Sequence, residues 1–334
     1  MINLLKMEKR EKIMLEQISN PIRRELELFE NEYALQFQSK NDSLFQFLGY
    51  INREKGKRIR PIIFFLSQGL VGSPSLESIR VAVLLEILHT ATLIHDDIVD
   101  DSSVRRGKKT PNALWGNKVS VLLGDYLLAK VLLLGVKVQW NGVLEIISNV
   151  VMEMGRGELR QVVIGTTEYI TENEYYKIIK DKTAALFQAT CELGGLVLHA
   201  SQAEKSRLNQ FGEYFGMSFQ IRDDILDLTG YTKLMGKPSG QDIFNGKMTL
   251  PLILALGHAS KEERERLFKK LDNIKNKNTK WILQFINSKK GIERAQTQSE
   301  IFAKKAIEIL NTFKSSVYRE SMEQLVMHDL KRVG

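Results

Sequence analysis

The chain has a single cysteine, Cys191, which rules out an internal disulfide. Its neighbours Thr190, Glu192, Leu193 and Gly194 give it an apolar helical context, so a buried structural thiol is expected rather than a nucleophile. Proline is scarce: there are six in 334 residues, none between Pro111 and Pro238 and none after Pro251. Long helices are free to run through those intervals. Glycine is scattered singly or in small pairs and β-type alternation is hard to find, so hairpins and sheets are not expected. No repeat, low-complexity tract or Gly/Ser linker marks a boundary. Together these absences predict one all-α domain over residues 1–334.

Acids are outnumbered, 40 Asp and Glu against 48 Lys and Arg, for a net charge of +8. Such a charge suits nucleic acid, an anionic membrane or a phosphorylated small molecule and ranks none of them. Much of it lies in Lys6 to Lys12 and Lys269 to Lys280, which read as solvated surface. The start of the chain mixes acids and bases without a sustained apolar core, so no signal peptide and a cytoplasmic protein are expected. The most apolar stretch, Val119 to Val138, holds Asp125, Lys130 and Lys137. A membrane span tolerates such charges poorly, so a buried core helix is expected there.

What is present is a pair of acidic clusters of identical spacing, Asp96-Asp97-Ile98-Val99-Asp100 and Asp223-Asp224-Ile225-Leu226-Asp227. Each follows an apolar segment, Val81 to Ile94 and Phe215 to Ile221. On a helix, residues four apart share a face, so Asp96 pairs with Asp100 and Asp223 with Asp227. One such cluster alone reads as a solvated helix end. Two copies beside Leu, Ile and Val demand compensation, because carboxylates in apolar surroundings are costly without cations. Hard oxygen ligands on two claws point to Mg²⁺ bridging to substrate phosphates.

Basic groups fit that reading. Gly56-Lys57-Arg58-Ile59-Arg60-Pro61 places three cations in four residues ahead of an apolar run, a grip for an anion. Arg105-Arg106-Gly107-Lys108-Lys109 follows the first cluster, where guanidiniums would clamp a metal-bound diphosphate; simple charge balance is the plainer alternative. His89 and His95 lie six residues apart, too far around a helix to share one zinc ion. His95-Asp96 also matches the His-Asp dipeptide of metal-dependent phosphohydrolases, a reading that leaves the second cluster unexplained. Lys182-Thr183, Gln220, Lys237 and Gly246-Lys247 are polar groups among apolar neighbours and say little singly.

Taken together, Gly56 to Pro61, His95 to Gly107, Gly124-Asp125-Tyr126-Leu127, Gly157-Glu158 with Gln161, Lys182-Thr183, Phe219-Gln220, the second aspartate cluster, and Gly246-Lys247 before Thr249-Leu250-Pro251 carry a resemblance. The chain closely resembles the trans-polyprenyl diphosphate synthase family, of the long-chain octaprenyl and heptaprenyl kind, from about residue 20 to residue 320. The resemblance implies an isoprenoid synthase-type helical bundle around a central cavity, a homodimer, and two aspartate motifs facing each other across the mouth. It makes Asp96, Asp100 and Asp223 the principal Mg²⁺ ligands, with Asp97, Asp224 and Asp227 in support and Asp227 among the metal contacts. About three Mg²⁺ ions per active site are implied. Lys57, Arg60, His89 and Arg106 resemble the isopentenyl diphosphate site. Arg105, Lys182, Thr183, Gln220, Lys237 and Lys247 resemble the site for the allylic diphosphate. Arg105, Lys182 and Lys237 join Asp96, Asp97, Asp100, Asp223 and Asp224 as the implied catalytic set.

The implied reaction adds isopentenyl diphosphate to an allylic diphosphate, farnesyl diphosphate being the expected primer. Cations stabilise the departing diphosphate, the double bond attacks the carbocation, and a proton is lost. Apolar helices keep out the water that would quench the cation. In the family the product grows beside the helix of the first cluster, and bulky aromatics four or five residues ahead of it stop growth early. Here those positions are Thr92 and Ala91, both small, with Leu88 and Leu85 deeper. At about 5.4 Å per turn, a product of roughly thirty to forty-five carbons is expected, suited to a quinone side chain, with at most peripheral membrane contact for its release.

Two departures stand out: Lys55 replaces the first glycine of a common Gly-Gly-Lys-Arg, and His328 to Arg332 lacks the aromatic ending of shorter-product members. A terpene cyclase would share the first motif but has no use for Lys57 and Arg60. A basic nucleic-acid binder or a non-catalytic subunit leaves six aspartates without a role. None of these rivals is expected.

Overall fold

Among the described residues the proline-free intervals are mostly helical, and several prolines sit where helices begin. Pro111 and Pro251 both occupy the first turn, where a missing N–H costs no intrahelical bond. The computed structural model describes residues 11–38, 42–53, 56–105, 107–164, 170–229, 240–272 and 280–332. Arg106 and Lys237, expected at the two diphosphate sites, lie outside the described residues. The helices run α1 (Arg23–Leu35), α2 (Asp42–Arg53), α3 (Ile59–Val71), α4 (Ile79–Val99), α5 (Pro111–Trp115), α6 (Asn117–Lys137), α7 (Val143–Ile164) and α8 (Glu172–Ile179). A π-helical turn, Lys180–Ala184, joins α8 to α9 (Ala185–Leu196). The rest are α10 (Gln202–Thr229), α11 (Gln241–Phe244), α12 (Leu250–Gly257), α13 (Lys261–Asp272), α14 (Lys280–Ser288), α15 (Gly291–Leu310) and α16 (Val317–Lys331).

One expectation fails locally. Val104–Arg105 and Lys108–Lys109 pair as a two-residue antiparallel hairpin, β1 and β2. Gly107 turns it with φ +75°, a conformation that glycine adopts without steric cost. Strands this short show no alternation, which is why the sequence pattern missed them.

The chain divides into two compact units, each built from three separate stretches. The first comprises Met1–Ser148, Ala189–Asn209 and Ile309–Leu325, the second Asn149–Gln188, Gln210–Glu308 and Val326–Gly334.

In the first unit α4 is buried on every side over Val81 to Leu88. Each such Leu, Ile or Val stabilises the fold by about 1.5–3 kcal/mol relative to exposure. Its chief neighbour is α6. The buried core helix expected at Val119 to Val138 is only half right. In α6, Leu123, Leu127, Val131 and Leu134 are buried, while Leu122, Leu132, Leu133 and Val136 are exposed. An apolar helix laid along one face of α4 leaves its other face to solvent or to another chain.

In the second unit two apolar clusters hold the end of α10. One gathers Tyr175, Ile178, Met217, Ile221, Ile225 and Leu250, the other Leu228, Ile243, Leu252, Leu256, Ile282 and Ile286.

Candidate active site

Both acidic clusters sit at helix C-termini, where unsatisfied carbonyls already carry partial negative charge and acids are disfavoured. In the first unit, Asp96 and Asp97 occupy the last turn of α4 and Asp100 caps it, its N–H donating to the Asp96 carbonyl at 2.8 Å. Asp96 and Asp100 are half-buried. Asp97 is turned inward and 2% exposed. Arg105 Nε donates to both its oxygens, at 3.0 and 3.2 Å. The β1–β2 hairpin is what brings Arg105 back. Asn112 Nδ2 ties the loop down by donating to the carbonyls of Asp97 and Ser102, at 3.2 and 3.0 Å. The predicted Asp97 and Arg105 are therefore one structural pair.

Gly124 explains how α4 and α6 close around His95. A Cβ at Gly124 would lie 2.2 Å from His95 Nε2. Without one, the ring comes within 3.3 Å of the Val121 carbonyl and 3.5 Å of Asp125.

The basic segment before α3 splits three ways. Arg58, in the left-handed region at φ 55°, turns into the protein. Its guanidinium donates to Glu30 at 2.6 Å and to Glu86 at 2.9 Å, and stacks over the Tyr33 ring at 4.3 Å. Burial alone would lower its pKa, but Glu86 and Glu30 outweigh that and hold it above the ordinary value. Lys57 is half-exposed and pairs with Glu11. Arg60 and His89 are half-buried. Arg58 is thus the anchor from which its neighbours project, a role the sequence shows only as a third cation.

Along α4 toward its N-terminus, Leu88 and Ala91 are buried and Thr92 is half-buried. The Thr92 hydroxyl donates to the His89 carbonyl at 2.8 Å, so it is satisfied by its own helix.

In the second unit the last two turns of α10 carry Asp223, Asp224 and Asp227. Asp224 is 4% exposed. It accepts from the Tyr175 hydroxyl at 2.7 Å, Gln220 Nε2 at 2.9 Å and the Leu250 N–H at 3.1 Å. Gln220 in turn accepts from the Thr183 hydroxyl at 2.7 Å. Thr183, Gln220 and Asp224, separate in the sequence, form one hydrogen-bonded row. Asp227 accepts from the Asp242 N–H at 3.2 Å, and Lys247 lies 3.5 Å from Asp242.

Asp223 accepts from Arg332 Nη2 at 2.7 Å. Arg332 follows α16, lies over the Phe219 ring at 4.4 Å and pairs with Asp329 at 2.7 Å. No local pattern announces this contact. Lys182, in the π-helical turn, pairs with Glu158 and donates to Gln161 at 3.3 Å.

The donor chemistry fits a divalent cation. Burial first, then the neighbouring Asp242, pushes both Asp224 and Asp227 up to about 7. That is the response of carboxylates crowded together with too little positive charge. Among the described residues no three His, Cys, Asp or Glu side chains converge as a complete metal site. Each claw offers two carboxylates, suited to an ion that keeps water and substrate oxygens in its shell.

A helical fold with twin DDxxD helix ends and basic diphosphate-type groups defines a prenyltransferase. The polyprenyl synthetase family matches residues 41–287. Octaprenyl diphosphate synthase of Escherichia coli (strain K12) is 35% identical over 82% of this chain and 85% of that protein. Heptaprenyl diphosphate synthase component 2 of Bacillus subtilis (strain 168) is 35% identical over 83% of this chain and 79% of its own length. The crystal structure of a polyprenyl synthase from Caulobacter crescentus CB15, complexed with calcium and isoprenyl diphosphate, superposes with a TM-score of 0.90 at 28% identity, covering 96% of this chain and 98% of that one. The chain belongs to the polyprenyl synthetase family, among its long-chain trans-polyprenyl synthases.

Proposed function

We propose that the enzyme condenses isopentenyl diphosphate, head to tail and repeatedly, onto an allylic diphosphate such as farnesyl diphosphate, with Mg²⁺, to give an all-trans product of roughly thirty to forty-five carbons, the length class of quinone side chains. The observation that carries this is the pair of aspartate clusters at helix C-termini, backed by Thr183, Gln220 and Asp224 in one hydrogen-bonded row. Bound Mg²⁺ supplies charge neutralisation of the diphosphates. Asp96, Asp100, Asp223 and Asp227 hold the metal; Asp97 and Asp224, already satisfied by Arg105 and by Tyr175 with Leu250, keep the claws in place. Lys182, Thr183 and Gln220 orient the allylic diphosphate, with Arg105, Lys237 and Lys247 in support. Lys57, Arg60, His89 and Arg106 hold isopentenyl diphosphate. The allylic C–O bond breaks to leave a carbocation and free diphosphate, the double bond of isopentenyl diphosphate attacks the cation to form the new C–C bond, and the proton lost from the adduct leaves with the released diphosphate.

Small residues at Ala91 and Thr92 support the long product. Ala91→Phe is expected to shift products to fifteen or twenty carbons in a chain-length assay. The metal ion in the Caulobacter crescentus structure supports a cation here, although that ion is calcium. We also place the enzyme in the cytoplasm. Two helices, Leu76–Val99 and Asn117–Lys137, are long and apolar enough to cross a membrane, but they pack on each other within the first unit.

The test is incubation of the purified protein alone with labelled isopentenyl diphosphate, farnesyl diphosphate and Mg²⁺, with products resolved by length. A ladder closing on one long product supports the reading. Asp96→Ala and Asp223→Ala are expected to abolish it while the helical circular dichroism persists; full turnover in both would sink the metal roles. The exposed face of α6 supports a homodimer. The word "component" in the Bacillus subtilis relative's name favours a second reading, in which elongation appears only with an unlike subunit added.

A further inference from the structure

The π-helical turn Lys180–Ala184 is held from one side by a single stretch of α7. Asp181, which lies just ahead of Lys182 and is 9% exposed, accepts a forked pair from Arg156, Nε at 2.8 Å and Nη2 at 3.0 Å. Arg160 Nη1 adds a third bond at 3.3 Å. Arg156 and Arg160 are four apart, so both reach from one helix face. Between them stands Gly157, where a Cβ would come within 2.7 Å of the Lys182 backbone nitrogen. The backbones touch because that position has no side chain. Glu158 and Gln161, on the same stretch, meet the Lys182 ammonium. Three consecutive residues of the turn thus face three partners: Asp181 the arginine fork, Lys182 the Glu158 pair, and Thr183 the Gln220 amide oxygen. A π turn is an energetically poor element that persists where its surroundings fix it, often at functional sites.

The geometry points to Asp181 as a positioning residue for the allylic diphosphate: locked by Arg156 and Arg160, it fixes the π turn that aims Lys182 and Thr183. This rests on the role proposed above for Lys182 and Thr183. The sign of its effect separates two explanations. If Asp181 acted only through its charge, removing that charge would leave two arginines less neutralised and tighten anion binding. If it positions, removing it loosens the turn and weakens binding, because a misplacement of about 1 Å is enough to lose much of an oriented contact.

The experiment uses the full chain with Asp181→Asn, Asp181→Glu and Lys182→Ala. Binding of an unreactive farnesyl thiodiphosphate is measured by calorimetry, and KM for each substrate is measured separately. Asp181→Asn is expected to weaken analogue binding and raise the allylic KM about tenfold, with the isopentenyl diphosphate KM unchanged. Asp181→Glu is expected to restore most of the loss. Tighter or unchanged analogue binding in Asp181→Asn overturns the inference. So does an equal loss for both substrates that Asp181→Glu does not rescue, which marks a merely structural role. Lys182→Ala gives the separate check: if it leaves analogue binding intact, the reading of the allylic site fails and takes this inference with it.

Discussion

Cys191 shows how far one residue was legible. Its apolar neighbours predicted burial, and burial pushes the thiol up to about 12, far above neutral pH. The native protein is therefore expected to show no fast reaction with a thiol reagent such as Ellman's, and one equivalent on unfolding; rapid modification of the native chain would refute the buried placement. Gly124 was visible as part of a motif, but its reason was not. The reason is the His95 ring, which fills the space of the missing Cβ. Gly124→Ala is expected to cost about 1–3 kcal/mol, read as a lower melting temperature, with a loss of turnover because His95 adjoins Asp96. Arg332 was illegible for a different reason. Its bond to Asp223 joins residues 109 apart, and no periodicity encodes a partner that distant. Arg58 was seen and misjudged, because three close-set cations look alike until one of them meets buried Glu86 and half-buried Glu30.

At the scale of elements, the long helices followed from the missing prolines, whereas the hairpin after α4 and the π turn before α9 did not. Both exceptions bring a charged group, Arg105 or Lys182, to a place a plain helix would not. The end of α10 gives a pH prediction. Burial raises Asp224 and Asp227 from 3.8 to about 7. Between those values the folded chain binds more protons than the unfolded one, so stability falls as pH rises through that window and levels off above it. Without metal, the melting temperature is expected to be about 2–4 °C higher near pH 6 than near pH 8. Mg²⁺, which favours the ionised carboxylates, is expected to shrink that gap, and Asp224→Asn to reduce it without metal. A metal-free protein more stable near pH 8 would contradict the burial argument.

For the whole molecule, α6 sets the main expectation. Leu122, Leu132, Leu133 and Val136 leave an apolar face on the surface, and such faces in soluble proteins mark partner surfaces. Leu132→Glu with Val136→Glu is expected to give a helical monomer by light scattering; a dimer of unchanged affinity would show that the contact lies elsewhere. The charge count never revealed that face, since composition cannot tell a helix buried on two sides from one buried on one. The discontinuous make-up of each unit carries a consequence for synthesis. Gly69 in α3 is seated so close beneath Tyr318 in α16 that a Cβ there would lie 2.1 Å from the ring, and the first unit contains Ile309–Leu325 as well as Met1–Ser148. A ribosome must therefore release nearly the whole chain before that unit can close. Until then α3 lacks the cover that Tyr318 gives it, so its apolar side chains are open to chaperones through most of translation.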